Sequence, residues 1–378
     1  MKKIAFLFIA VGYSMAGLAQ IENLSEKFEL PSLIEETSGL LFFNNKLITH
    51  NDSGDAPNLY EIDTITGNIS RTVGISNATH IDWEDITQDA EYIYIGDIGN
   101  NNGNRTDLKI YRVNKTEYIN SSSVTAEVIN FSYDDQTDFS SQPNSSNFDA
   151  EAVSVYEENI VVFTKNWANN MTNAYILSKD IGTHTATKVS TYNSNGLITG
   201  AAYNPLDKSF MLCGYNATLS PFLVYATDFA GNDFFNGTVE RSDISSSIGL
   251  SQIEGVTQIT NGRYFLSREK FENIITLPSK LYSLNNASFT LSNNEFEARS
   301  LTIYPNPVYD KLNIQVSSAE NIKFIEVFDL TGKRMLERKK NLSDSINFNN
   351  LRNGLYFIKV VLEDNTVFYK KIVKLDRN

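Results

Sequence analysis

A short polar residue followed by a small residue and then an apolar strand recurs five times, at Ser38-Gly39-Leu40, Glu84-Asp85-Ile86, Glu151-Ala152-Val153, Thr199-Gly200-Ala201 and Glu254-Gly255-Val256. Intervals of roughly 45 to 65 residues are those of a repeat array, and short strands separated by turn residues within each interval suggest propeller blades. The recurrence therefore predicts an all-β chain, with a five-bladed β-propeller over residues 20–285. Each copy would place one polar side chain at the same height around a common axis.

Aligned on the polar residue, the copies yield strands at 38–43, 46–50, 58–63 and 70–75; 84–87, 92–96, 108–113 and 124–133; 151–156, 159–164, 174–178 and 187–192; 199–203, 210–214, 222–227 and 239–242; and 254–259, 264–267 and 280–284. The fifth copy lacks a fourth strand. Residues 25–30 form a spare strand of suitable length ahead of the first copy, and pairing it into the fifth would close the ring and hide its edges. Turn signals at Asn44-Asn45, Glu157-Glu158-Asn159 and Asn261-Gly262 sit where the first two strands of a copy should reverse.

The ends of the chain read differently. Lys2 and Lys3 precede an apolar run from Ile4 to Val11, and Gly17-Leu18-Ala19 supplies small residues before Gln20, so residues 1–19 are expected to be a secretory signal peptide. No later stretch is long and apolar enough for a transmembrane helix. The one cysteine, Cys213, lies in an apolar strand and has no partner for an internal disulfide, so stability must come from core burial. Residues 286–301 are Asn/Ser-rich and lose periodicity, as a linker does.

Charge is unevenly distributed. Thirteen basic and nine acidic residues fall at 302–378 and two lysines precede residue 20, so residues 20–301 carry a formal −19 within a chain of net −13. Such acidity disfavours a nucleic-acid partner and is compatible with a cation, and it also serves solubility outside the cell.

In the last part of the chain, Tyr304-Pro305-Asn306-Pro307-Val308, Leu312 to Val316, Ile325-Glu326-Val327-Phe328-Asp329 with Gly332-Lys333, Asn353-Gly354-Leu355-Tyr356-Phe357 and Lys370-Lys371-Ile372-Val373-Lys374 follow one another. Residues 302–378 thereby resemble the C-terminal sorting domain of type IX secretion. The resemblance implies a small immunoglobulin-like β-sandwich, recognition by the type IX secretion machinery, and a secreted protein or one held on the outer-membrane surface of a Gram-negative bacterium. Leu375-Asp376-Arg377-Asn378 extends past the usual Lys-rich end. Alternating apolar and polar residues at 323–328 and 356–362 independently indicate sandwich strands.

Strand direction selects a candidate site. If each first strand starts at one face, the antiparallel second strand returns to it, and the loops that follow surround the five polar residues. Those loops are polar: His50-Asn51-Asp52-Ser53-Gly54, Asp97-Ile98-Gly99-Asn100-Asn101 with Arg105 beyond, Lys165-Asn166-Trp167, Tyr215-Asn216 and Arg268-Glu269-Lys270. Ser38, Glu84, Glu151, Thr199 and Glu254 offer only oxygen ligands, which suits a hard cation, calcium before magnesium. The alternative is that these side chains hydrogen-bond strand starts or channel water.

The order Ser/Glu/Glu/Thr/Glu is similar to the ligand set of calcium-activated nucleotidases, five-bladed apyrases with calcium in the central channel. Asn51-Asp52-Ser53-Gly54 before Leu59-Tyr60-Glu61-Ile62, and Tyr94-Ile95-Gly96-Asp97, resemble loops of the same family. The resemblance implies that the five ring residues ligate metal and that Asp52 orients the attacking water. Asn51 and Thr199 depart from that family's pattern. Phosphoryl hydrolysis would also need cations to hold phosphate oxygens, for which Arg105, Lys165, Arg268 and Lys270 are available, with Asp97 beside them as a further catalytic candidate.

Other chemistries find no pattern. GxSxG, P-loop and GxGxxG motifs are absent, and His50, His80 and His184 lack a nucleophile pattern, although His80 near Asp82 and Glu84 could serve as a base. Trp83, Trp167 and Tyr215 could stack on a sugar or base, or fill the core. The expectation is a calcium-dependent hydrolase of a phosphate or other ester. Its alternatives are a non-catalytic, calcium-stabilised module binding a small molecule, glycan or protein on the acidic face, and a lactonase-like propeller.

Overall fold

The computed structural model describes residues 24–272, 276–285, 301–316, 322–329, 333–339, 345–362 and 367–376. The expected signal peptide, and the expected linker up to residue 300, lie outside the described residues. The chain divides into two compact units, Met1–Thr290 and Leu291–Asn378. Both are built of sheets whose strands pair mainly antiparallel.

In the first unit, β1 (Leu24–Glu29) precedes a group of β2 (Thr37–Phe43), β3 (Lys46–Asn51), β4 (Asn58–Ile62) and β5 (Ile69–Ile75). The second group is β6 (Trp83–Gln88), β7 (Tyr92–Asp97), β8 (Lys109–Asn114), the short helix α1 (Lys115–Asn120), β9 (Ser123–Val124) and β10 (Glu127–Tyr133). The third is β11 (Ala150–Tyr156), β12 (Asn159–Thr164), β13 (Thr172–Ser178) and β14 (Gly182–Tyr192). Then come β15 (Leu197–Asn204), β16 (Ser209–Tyr215), β17 (Pro221–Thr227), β18 (Thr238–Asp243) and the one-turn α2 (Ser245–Ile248). The fifth group is β19 (Ile253–Thr260), β20 (Arg263–Arg268), a hairpin of β21 (Phe271–Glu272) and β22 (Thr276–Leu277), and β23 (Lys280–Asn285). It is completed by β1, which pairs antiparallel with β23.

Burial explains the sequence pattern within a group. First and second strands are covered on both faces and read as continuous apolar runs, as in β16, where every residue is buried. The outer strand β18 contains no buried residue and carries Glu240, Arg241 and Asp243. The core is divided into apolar clusters shared by successive groups. Leu41 and Ile48 pack with Ile86 and Ile95, Ile110 and Phe131 with Val153 and Val162, and Phe163 with Phe210 and Leu212. Cys213 and Met211 pack with Val256 and Leu266, while Phe265 and Leu281 of the fifth group pack with Leu40 and Leu47 of the first. The five first strands likewise neighbour one another in a cycle, β2 to β6 to β11 to β15 to β19 and back to β2. Truncating Phe210, which is fully buried, to Ala would cost about 3–5 kcal/mol.

The small residue of the recurrent motif is a steric requirement of that cycle. A Cβ on Gly39 would lie 2.6 Å from Ile86 N, and one on Gly255 2.6 Å from Ser38 O. Asp85 occupies the equivalent place in the second copy, where its carboxylate accepts from the backbone N–H of Ile86 (2.8 Å), Val153 (2.9 Å) and Ala201 (3.3 Å). One buried carboxylate thus ties β6, β11 and β15 together at the axis.

Two local expectations change. The strand expected at 124–133 is broken: β9 leaves the second group and pairs parallel with β5 of the first, because Val124 is buried in the cluster with Val73 and Ile75 while the Asn77 side chain clamps the backbone of Ala126 at both N and O. The strand expected from 187 begins at Gly182, and residues 182–186 pair parallel with β10, joining the second and third groups into one eight-stranded sheet. Helix α1 was not expected; Asn114 caps it by accepting from Thr116 and Glu117 N–H.

The second unit contains β24 (Leu301–Tyr304), β25 (Lys311–Val316), β26 (Ile322–Asp329), β27 (Arg334–Lys339), β28 (Ser345–Asn347), β29 (Gly354–Leu362) and β30 (Val367–Lys374). They form a three-stranded sheet, β24-β25-β28, and a four-stranded one, β27-β26-β29-β30. Leu312, Ile314 and Ile346 from one sheet and Ile325, Val327, Ile358 and Val360 from the other fill a single core.

Candidate functional site

The starts of the first strands and the loops after the second strands converge on a cavity of about 430 Å³, whose walls include Ser38, Asp52, Glu84, Glu151, Lys165, Trp167, Tyr215, Gln252, Glu254 and Glu269. Four of the five expected ring residues line it. The fifth, Thr199, is buried below the wall and donates its hydroxyl to Ile253 O. Ser38 Oγ similarly donates to Glu84 O at 2.5 Å. Both hydroxyls join a first strand to the backbone of its neighbour.

The carboxylates fall into two sets. Oxygens of Asp52, Asp82 and Glu84 lie within 4.8 Å of one another. Burial, followed by mutual repulsion, lifts Asp82 to about 7 and Glu84 well above the ordinary carboxylate range; burial also raises Asp52 to about 6, with the neighbouring Glu269 contributing. Asp52 Oδ1 is buried without a hydrogen-bond partner. Gly99 makes room for this group: a Cβ there would sit 2.1 Å from Glu84 Oε1 and 2.4 Å from Asp82 Oδ2.

The other set surrounds Lys165. Its Nζ donates to both oxygens of Glu151 at 2.5 Å and lies 5.0 and 5.4 Å from the ring centroids of Trp167 and Tyr215. Burial, the largest single influence, opposes the charge of Lys165, but Glu151 together with Tyr215, Glu254 and Asp149 outweighs it and holds the ammonium well above its usual range. Trp167 is fixed by its Nε1 donating to Asp149 Oδ2 at 2.7 Å, and Asp149 in turn accepts from Asn100 N–H at 2.6 Å. Glu254 and Glu269 complete this side, and burial raises both, Glu269 to about 7. With one lysine among so many carboxyl groups, the cavity is crowded with acids whose ionisation burial and mutual repulsion oppose.

The remaining candidates sit elsewhere. Arg105 donates to Asp97 Oδ1 (2.8 Å), Asp107 Oδ1 (3.0 Å) and Gly99 O (2.7 Å), so Asp97 and Arg105 brace the loop that carries Gly99. Arg268 donates to Pro278 O and Ser251 Oγ. Lys270 pairs with Glu35 and Glu272. His80 stacks on Trp83 at 4.5 Å, and its Nε2 lies 2.7 Å from Asp52 O, which places it behind the Asp52 loop.

Sequence reasoning did not single out Asp82, Asp149 or Glu269 as members of the site. The first two follow a signal that was present: an acid two residues before the ring position, Asp82 before Glu84 and Asp149 before Glu151, with Glu36 before Ser38 as a third instance. In a strand, residues two apart face the same side. The donor set, oxygen-only with one orphaned buried carboxylate oxygen, fits a hard cation of calcium's class.

An all-β chain with a second unit of two small sheets around one core is the class these observations define. Residues 302–374 match the family described as the secretion system C-terminal sorting domain, so the protein is secreted or displayed on the outer-membrane surface, and its tail is the part recognised for export. Among the described residues no helix is long and apolar enough to cross a membrane. Ulvan lyase NLR42 of Nonlabens ulvanivorans is 35% identical over 92 residues, which are 24% of this chain and 17% of that enzyme. The extracellular domain described as a one component system, BT4673 of B. thetaiotaomicron, aligns at 10% identity and a TM-score of 0.33, covering 90% of this chain and 57% of that one. A chain of the Mitotic Checkpoint Complex aligns at 9% identity and a TM-score of 0.31 over 99% of each. Likeness at this level carries no argument about fold or activity.

Proposed function

We propose that the first unit is a five-bladed β-propeller, that the second is immunoglobulin-like, and that the acidic mouth of the propeller binds calcium and hydrolyses a phosphate or other ester outside the cell. The propeller reading is supported by the cycle of first strands and by β1 completing the fifth group. The calcium reading rests on one observation above others: Asp52, Asp82 and Glu84 bring oxygens within 4.8 Å of one another while Asp52 Oδ1 is left unpartnered.

In this reading those three carboxylates would hold the ion, with Glu254 and Glu269 lining the same mouth. Bound calcium would supply Lewis-acid polarisation of the ester. The chain's own residues do the rest. Asp52 would orient the attacking water, and Trp167 and Tyr215 offer a flat wall for the leaving group, with Lys165, held by Glu151, beside them. The sorting tail delivers this mouth to the cell exterior.

A second reading is favoured by the state of the cations. Lys165 is already neutralised by Glu151, and Arg105 and Arg268 are engaged in bracing loops. A calcium-ordered mouth that binds a glycan or protein ligand without turnover would need none of them free. Purified protein assayed against nucleotides, phosphate monoesters and lactones, with calcium and with EDTA, separates the two. Hydrolysis that requires calcium and is lost in Glu84→Gln supports the enzyme; calcium binding by calorimetry with no turnover in any panel supports the binding module and sinks hydrolysis.

A further inference from the structure

A cavity of about 540 Å³ lies at the opposite end of the same five first strands. It shares no wall residue with the acidic cavity, from which it is separated by the level of Asp85 and the small residues packed around the axis. Its floor is apolar, with Leu40, Ile86, Ala201 and Val256.

Three hydroxyls in its wall share one arrangement. Thr87 Oγ1 accepts from Val155 N–H at 3.2 Å, Ser154 Oγ from Tyr203 N–H at 3.1 Å, and Thr257 Oγ1 from Phe42 N–H at 3.1 Å. The three residues are 9%, 2% and 5% exposed. Each oxygen is held by the backbone of the next group, and each hydroxyl proton has no acceptor among the described residues. Beside them Gln88 donates Nε2 to Phe42 O at 2.9 Å, leaving Oε1 buried and unpartnered. The wall therefore offers three convergent donors and one acceptor, none of them charged.

The charged residues of the wall, Asp89, Lys115 and Glu157, sit beyond the ends of their strands, β6, β8 and β11. Asp89 is taken up by Tyr94 OH and by the N–H groups of Glu91 and Tyr92, while Lys115 donates to Asp89 O and lies 4.6 Å over the Phe43 ring. Among the described residues no group of three carboxylates converges here for a cation, and Lys115, the wall's cation, is taken up by Asp89 O. An apolar floor beneath neutral donors and acceptors matches a molecule with C–H faces and hydroxyl edges, and the volume lies within the usual range for small-ligand pockets.

We propose that this cavity is a second binding site, for the end of an uncharged carbohydrate chain, gripped by the hydroxyls of Thr87, Ser154 and Thr257 and the amide of Gln88. Calorimetry and saturation-transfer NMR on the intact protein with cellobiose, maltose and, as the charged control, glucuronate test it. The expected result is binding of at least one neutral disaccharide with a Kd of about 1 mM, unchanged by EDTA and by Glu84→Gln, and transfer to its ring protons from threonine methyls. Thr87→Val/Thr257→Val should weaken it about tenfold or more, a loss of about 1.4 kcal/mol, and Thr87→Ser/Thr257→Ser should retain it. If the valine variant does not fold, the threonine-methyl transfer in the unmodified protein still decides. Three results overturn the proposal: no neutral disaccharide binding at about 20 mM, binding that disappears with EDTA or in Glu84→Gln, or transfer that does not involve threonine methyls.

Discussion

At one end of β2, β6, β11, β15 and β19 the chain presents Ser38, Glu84, Glu151 and Glu254 to a cavity crowded with carboxylates; three residues further along, Thr87, Ser154 and Thr257 present hydroxyls fastened to the neighbouring backbone. The same strands and the same cyclic packing serve both. At the first end the buried groups are ionisable and only one lysine offsets them, so burial raises nearly every carboxyl there and leaves oxygens that a cation would satisfy. At the second end the polar groups are neutral and half satisfied by the fold itself. One end stores electrostatic strain that a ligand can relieve, and the other offers directional hydrogen bonds at little cost.

The sharpest way to break this contrast is calcium affinity. Glu84→Gln is expected to weaken calcium binding by about 100-fold or more, measured calorimetrically, while Thr87→Val leaves it unchanged. Equal losses would mean that the two ends are not independent.

Stability should differ next. Glu151→Leu strands the buried charge of Lys165 and is expected to cost about 3–5 kcal/mol in urea unfolding. Adding Lys165→Met should recover most of that, because a buried pair replaced by apolar groups of similar volume is often neutral or stabilising. Failure of the second change to rescue the first would show that Glu151 acts through something other than Lys165.

The two ends should also answer differently to pH. Asp52 at about 6, and Asp82 and Glu269 at about 7, all lie above the ordinary carboxyl range, so the folded state holds protons that the unfolded chain releases. Their contribution to stability is full below about pH 4 and is lost as pH rises through 6 to 7. In EDTA the melting temperature of the first unit should therefore fall between about pH 4 and 7 and level off above. With calcium the trend should be offset or reversed, since the ion binds the deprotonated form and adds about 2.7 kcal/mol at a hundred times its Kd. Parallel pH curves with and without calcium would sink the cation reading.

The smallest effect belongs to the neutral end. Thr87→Val removes the acceptor of Val155 N–H and should cost about 1–3 kcal/mol, whereas Thr87→Ser should stay within about 0.5 kcal/mol. Thermal unfolding of both variants measures the difference.

Much of this was legible along the chain. The recurrent polar-small-apolar triplet located the first strand of every group, period and turn signals placed strands such as 210–214, and the spare strand at 25–30 does pair with β23. That Glu84, Glu151 and Glu254 line one cavity followed the recurrence, and strand direction pointed to the loops around them. What could not be read was partnership. Lys165 and Arg105 looked equivalent as polar-loop cations, yet one is drawn into the cavity by Glu151 and the other is spent on Asp97 and Asp107. The broken strand at 123–133 was equally hidden, because its two halves pair with strands from different groups.

The amino-acid sequence by itself determined the all-β class, the fivefold repetition and the export tail, since each is a local pattern of period, spacing or motif that burial and turn chemistry enforce wherever it occurs. Tertiary structure alone decided which carboxylates meet, that the Asp85 carboxylate ties β6, β11 and β15 together, and which lysine is neutralised. Those outcomes depend on distances between residues far apart in the chain, and a few ångströms decide whether two charges pair, repel or wait for a cation.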